Sequence, residues 1–133
     1  MAWFRAMGAP IVNDPRDVIK NGILNTDYYY LSGAGISQGA DYVLVSRSDP
    51  TNGGAINNTD VTSYTSVVIQ YQQVDASAQL QIYFGGTRYH YGSAGTDRRT
   101  VSIGISSLTG VQNMSFLLSS NGTSAKLYSI KFY

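Results

Sequence analysis

The sequence predicts an all-β protein: an antiparallel β-sandwich preceded by an apolar N-terminal arm and one short helix. Three observations carry this. All eight acidic residues are Asp and Lys occurs three times, so the residues that usually fill helix surfaces are scarce. Fourteen Gly and eleven Tyr accompany many Ser, Thr and Val, the composition of strands joined by tight turns. Short runs of alternating apolar and polar residues recur along the chain, separated by clusters of Asn, Asp, Gly and Ser.

The chain has 133 residues, which suits one domain. It has no cysteine, so neither a disulfide nor a thiolate metal site is available. The net charge of +1 gives no general attraction to nucleic acid or to an anionic membrane surface. No stretch approaches the roughly 20 apolar residues of a spanning helix. Arg5 splits the apolar run at the start, so no signal peptide is expected.

Residues 1–12 read as an arm, with Trp3, Phe4 and Met7 too apolar to be left in water. "NDPRDVIKNG" then reads as a helix of about two turns: Asn13 or Asp14 caps it, Pro15 sits in its first turn and Gly22 follows its end. Arm and helix occupy residues 1–22, and the sandwich residues 23–133. "DYYYLSG" and "DYVLVSRS" are its first strands, the former with Tyr28 and Tyr30 on one side and Tyr29 on the other. Asp49–Asp60 reads as a long polar loop.

The strongest pattern follows. "SYTSVVIQYQQV" and "QLQIYFGG" alternate on either side of "DASA", which reads as a hairpin. With Val74 opposite Gln79, Tyr71 pairs with Ile82 and Ile69 with Phe84. Val67, Ile69, Tyr71, Leu80, Ile82 and Phe84 then share the core face, while Gln72 meets Gln81 and Gln70 meets Tyr83 on the other. Three more alternating runs complete the sheets. Their core residues are Val101, Ile103 and Ile105; Met114, Phe116 and Leu118; and Tyr128, Ile130 and Phe132.

The stretch Tyr64–Tyr133 resembles a carbohydrate-binding jelly roll of the galactose-binding-like type, similar to family 6 modules. The carriers are "SYTSVVIQYQQVDASAQLQIYFGG" and "RRTVSIGISSLTGVQNMSFLLSSNGTSAKLYSIKFY". The resemblance implies a jelly roll and a non-catalytic glycan-binding role. Such modules commonly carry an aspartate in the last strand for a structural calcium ion; "LYSIKFY" has no carboxylate. The opening "MAWFRAMGAP" resembles the start of small proteins of phages and prophages, which implies a virion component.

Catalysis is not expected. A glycosidase needs two carboxylates in different environments, and Asp14, Asp49, Asp60, Asp75 and Asp97 all lie in turn-like sequence. His90 stands alone, without a G-x-S-x-G elbow or a metal-ligand spacing, and reads as an exposed polar residue beside Arg88. No cofactor and no metal are expected.

Eleven tyrosines exceed what a core accommodates, because each buried hydroxyl needs a partner. Gln70, Gln72, Gln81 and Tyr83 on the outer hairpin face, with Arg88, Tyr89 and Tyr91 beyond the Gly85–Gly86 turn, combine amides, a cation and aromatic rings. That combination suits a sugar. It suits outer-sheet decoration or a subunit interface equally in kind. The expectation is a virion accessory protein that binds host-surface glycan as a homo-oligomer, with Trp3, Phe4 and Met7 docking on other virion subunits. It has no nucleic-acid partner and does not insert into a membrane. The alternative is a capsid decoration or head-fibre subunit that binds no glycan.

Overall fold

A computed structural model describes residues 14–133. Trp3, Phe4 and Met7 lie outside the described residues. The described chain is all β, with antiparallel strands in two sheets and no helix.

The first strands are β1 (Asp17–Lys20), β2 (Ile23–Leu24), β3 (Tyr30–Ser32) and β4 (Ile36–Gln38). Next come β5 (Val43–Ser48), β6 (Thr51–Asn52), β7 (Gly54–Asn57) and β8 (Ser66–Gln73). The chain closes with β9 (Leu80–Phe84), β10 (Thr87–Tyr91), β11 (Arg98–Gly104), β12 (Met114–Leu118) and β13 (Thr123–Phe132). One sheet has eight strands and runs β11-β8-β13-β1-β2, with β5 also paired to β13 and carrying β4 and β6. The other has five, in the order β10-β9-β12-β7-β3.

The expected helix is replaced by a turn and a hairpin. The Asp14 carboxylate accepts the Arg16 backbone N–H at 2.9 Å, and the Asp17 N–H donates to the Asp14 carbonyl at 2.9 Å. That turn delivers β1, whose Val18 and Ile19 are both buried. Asn21 and Gly22 both have positive φ, at 52° and 78°. They form the two-residue connection between β1 and β2, the Asn-Gly geometry that matches strand twist. The dipeptide expected to stop a helix therefore turns a hairpin. Asp17–Lys20, which the sequence sets apart with the arm, is a strand of the sandwich paired with β13.

The expected hairpin between β8 and β9 is also corrected. β8 is hydrogen-bonded to β11 and β13, and β9 to β10 and β12. The two strands lie in different sheets and face each other across the core. Val67, Ile69, Tyr71, Leu80, Ile82 and Phe84 are each no more than 1% exposed and belong to one cluster. Gln73, completely buried, sits where the chain crosses. Its Oε1 accepts the Leu80 N–H at 2.9 Å, and its Nε2 donates to the Ser93 and Gly95 carbonyls, each at 2.9 Å. One amide thus satisfies three backbone groups that no ladder reaches.

Two other expectations shift. The supposed loop Asp49–Asp60 contains β6 and β7, with Ile56 in the core. In β13 the register slips between Leu127 and Ser129. Ile130 and Phe132 stay inward, whereas Tyr128 moves to the outer face, where its Oη donates to Gln72 Oε1 at 2.8 Å.

Three substitutions test this packing by urea denaturation. Phe84→Ala is expected to cost about 3–5 kcal/mol as a buried ring is lost. Gln73→Leu keeps the volume but orphans three backbone groups, at roughly 1–3 kcal/mol for each one left dry. Gln72→Ala, on the outer face, should cost about 1 kcal/mol or less. A Gln72→Ala loss as large as that of Phe84→Ala would contradict the assignment of faces.

Candidate functional site

Alternation along β9 sends Leu80, Ile82 and Phe84 into the core and leaves Gln81 and Tyr83 on the outer face of the five-stranded sheet. Gly85 and Gly86, with φ of 57° and 88°, close a two-residue turn into β10. Thr87 pairs with Phe84 and Arg88 with Tyr83; the register then slips, and His90 pairs with Ile82 and Tyr91 with Gln81.

The bulge decides the site. Simple alternation places Tyr91 with Tyr89, and Arg88 with His90. The extra residue instead puts Arg88 and Tyr91 on the same outer face as Gln81 and Tyr83. There the Tyr83 hydroxyl donates to Gln81 Oε1 at 2.9 Å. Arg88 Nη1 reaches the same oxygen at 3.4 Å, and its guanidinium carbon lies 4.7 Å from the centroid of the Tyr91 ring. Tyr91 remains 46% exposed.

Tyr89 leaves the expected site. Tyr89 packs edge-on to Phe84, with ring centroids 5.7 Å apart, and flanks the core. His90, expected to be exposed, is half-buried and shares a 2.8 Å hydrogen bond between its Nε2 and the Tyr71 hydroxyl. Burial holds its imidazole below the ordinary value of 6.5, and the Arg99 charge pushes the same way. Arg99 in turn donates to the carbonyls of Ser93 and Gly95 at 2.9 and 3.0 Å. Gln73, Tyr71, His90 and Arg99 together close this edge of the sandwich.

Gln70 and Gln72 are on the outer face of the eight-stranded sheet, on the far side of the molecule from Tyr83. Gln72 pairs with Arg98 and Lys126, and Gln70 with Thr100 and Ser129. The single amide-and-aromatic surface expected from the hairpin is therefore split in two, and Tyr83 does not lie beside Gln70. Strands that face each other across a core carry the same alternation as strands paired in a hairpin.

Pairing across the five-stranded sheet adds residues that the sequence did not bring together. Arg88, Tyr83, Ser115, Ala55 and Ser32 form one transverse row through β10, β9, β12, β7 and β3. At about 4.8 Å between neighbouring strands, the row spans roughly 19 Å. Beyond Tyr83 the row is low, being made of two serines and an alanine. Tyr91 stands beside one end. Tyr30, 56% exposed on β3, stands beside the other, paired with Asn57. The alternation in "DYYYLSG" did foretell Tyr30: Tyr29 is buried, its hydroxyl bonded to the Pro15 carbonyl, while Tyr28 and Tyr30 face out.

Two carboxylates away from this face are committed to structure. Asp14, paired with Arg16 at 2.6 Å, has its carboxyl lowered to about 2 by hydrogen bonds from Arg16. Asp60 is lowered by hydrogen bonds from Thr62. No group of three His, Cys, Asp or Glu among the described residues is placed to hold a metal ion.

No protein-family model and no curated protein matches the chain. Its fold is similar to solved structures of family 29 carbohydrate-binding modules. A variant of the module CBM29-2 superposes with a TM-score of 0.67 at 11% identity, covering 88% of this chain and 89% of that one. The module CBM29_1 of Piromyces equi gives 0.66 at 10% identity, covering 87% of each chain. Other CBM29-2 variants in this group are complexed with mannohexaose and with cellulohexaose. At such identity the likeness establishes a shared jelly-roll sandwich.

The closed edge has a pH signature. Because the folded-state pKa of His90 is depressed, the folded protein binds fewer protons than the unfolded chain just below pH 6.5. The stability His90 contributes is therefore complete above that pH and declines as pH falls through the folded value. Urea midpoints measured from pH 7.5 to 5 should fall for the parent protein and fall less for His90→Gln. Parallel profiles would show that His90 is not the group responsible.

Proposed function

We propose that this domain is a non-catalytic glycan-binding module that takes an extended, neutral sugar chain across the outer face of its five-stranded sheet. The transverse row carries the reading. A floor of Ser115, Ala55 and Ser32 lets a chain approach the backbone. Tyr83 and Tyr91 at one end and Tyr30 at the other offer rings to apolar pyranose faces. Arg88 and Gln81 supply donors and acceptors for hydroxyls, and their mutual contacts with Tyr83 and Tyr91 hold them in place before a ligand arrives. The similar structures that hold mannohexaose and cellulohexaose support the ligand class. The strand-order resemblance of Tyr64–Tyr133 to family 6 modules points the same way.

The site is open and contains one cation, so single-copy binding is weak. Many copies on one particle would raise avidity by about 10²–10⁴ without any new contact. This suits the virion role implied by "MAWFRAMGAP", in which Trp3, Phe4 and Met7 dock the domain on neighbouring subunits and the sandwich faces a host-surface glycan. A head-fibre or decoration subunit without glycan affinity is the rival. Tight self-association with no response to any glycan would favour it.

Calorimetric titration with mannohexaose and cellulohexaose tests the proposal. Tyr83→Ala and Tyr91→Ala, with folding intact, should each weaken binding about fivefold or more, the equivalent of about 1 kcal/mol. Tyr89→Ala should act on stability instead. Absence of binding, or binding indifferent to Tyr83 and Tyr91, would overturn the assignment.

A further inference from the structure

The opposite outer face holds a hollow. It has a volume of about 440 Å³ and is lined by Asn21, Asp41, Gln70, Arg98, Tyr128 and Ser129, with Gly22 at its wall. Its walls are fixed. The β1–β2 turn folds against the sheet, where the Gly22 N–H donates to the Tyr128 carbonyl at 2.8 Å. A Cβ at Gly22 would meet the Asp41 carbonyl oxygen at 1.8 Å, so only glycine permits this approach. Gln38 clamps the hairpin from the other side: its Nε2 donates to the Gly22 carbonyl at 2.8 Å and its Oε1 accepts the Leu24 N–H at 2.9 Å.

Apart from Tyr128, whose hydroxyl is bonded to Gln72, the polar lining is uncommitted. The Arg98 guanidinium carbon lies 3.6 Å from the centroid of the Tyr128 ring, which orients it. The ion pair among the described residues is Arg16 with Asp14, so Arg98 and Asp41 line the same hollow without touching. Asn21, Gln70 and Ser129 likewise make no side-chain hydrogen bond to another described residue. Lys126 stands in the same row as Arg98, across Gln72, with its ammonium 4.8 Å from the Tyr42 ring centroid; Tyr42 stands edge-on to Tyr128 at 6.4 Å.

We infer that this hollow is a second saccharide site, taking a neutral hexose unit independently of the Tyr83 face. The charges choose the class. A hydroxyl is both donor and acceptor, so adjacent sugar hydroxyls satisfy a guanidinium on one side and a carboxylate on the other. Asn21, Gln70 and Ser129 extend that mixed pattern. An anionic ligand would meet Asp41, and a cationic one Arg98. The hollow also falls within the size of small-molecule sites, about 300–1,000 Å³. The ligand class rests on the glycan reading of the first face, whereas the site rests on its own geometry. Because the two faces are on opposite sides of the sandwich, a domain with both sites joins two glycan chains.

Amide chemical-shift titration with mannohexaose and cellulohexaose tests this on the full chain. The parent protein should show two separate perturbed patches, one around Tyr83 and Ser115 and one around Asn21, Gln70 and Ser129. Tyr83→Ala should remove the first and leave the second. Arg98→Gln and Asp41→Asn should each remove the second and leave the first; Gln70→Ala serves if either fails to fold. Shifts confined to the Tyr83 patch would overturn the second site while the first reading stands. Shifts confined to the Arg98 patch would sink the first reading and support this one. No shift at either patch would end both.

Discussion

Val67, Ile69 and Tyr71 from one sheet and Leu80, Ile82 and Phe84 from the other are shut away from water in one core, together with Phe116 and Phe132. Everything else follows from the need to keep these two apolar faces together. Strand side chains alternate, so each residue that faces the core commits its neighbours to the outside. The molecule is therefore obliged to present two broad outer surfaces whose composition is free of core demands. Tyrosine suits both places, since its ring packs and its hydroxyl finds a partner. Tyr71 is inside, bonded to His90, while Tyr83, Tyr91 and Tyr128 are outside, bonded to amides or lying against cations.

The crossing between sheets imposes the second constraint. A chain that leaves one sheet for the other abandons its ladder partners, and the abandoned backbone groups need new ones. Gln73 provides them for Leu80, Ser93 and Gly95, and Arg99 reinforces the same loop through Ser93 and Gly95. Behind them His90 and Tyr71 share their hydrogen bond in a half-buried position, which is why the imidazole favours its neutral form. The single histidine, chemically the most conspicuous side chain in the sequence, serves the closure of the sandwich.

The outer faces resemble each other in construction. On each, a cation lies over a tyrosine and a glutamine accepts from a tyrosine hydroxyl: Arg88, Tyr91, Gln81 and Tyr83 on one, Arg98, Tyr128 and Gln72 on the other. Such contacts order flexible side chains on a rigid sheet, and a surface ordered in advance loses less entropy when a ligand binds. They differ in relief. The five-stranded sheet offers a low row between aromatic ends, and the eight-stranded sheet a hollow walled by a folded-over turn.

What the sequence determined by itself is side. Period-two alternation put Val67 through Tyr71, Leu80 through Phe84, and Met114 through Leu118 on their core faces, and it separated Tyr29 from Tyr28 and Tyr30. It also supplied the all-β class and four members of the first candidate site, Gln81, Tyr83, Arg88 and Tyr91. Partnership was beyond it. Two strands facing each other across a core carry the same alternation as two strands of a hairpin, so alternation alone does not tell whether the outer residues of β8 and β9 share one surface or lie on opposite ones. Parity also fails at a bulge, because one inserted residue reverses every side chain after it: that alone turns His90 inward, brings Tyr91 onto the face of Arg88 and sends Tyr128 outward. Asn21–Gly22 permits either a helix end or a tight hairpin, and only the pairing of β1 with β13 decided between them. Local pattern is set by the residue and its neighbours. Sheet partners, bulges and the transverse rows that build a surface depend on residues far apart in the chain, and only the packed structure brings those together.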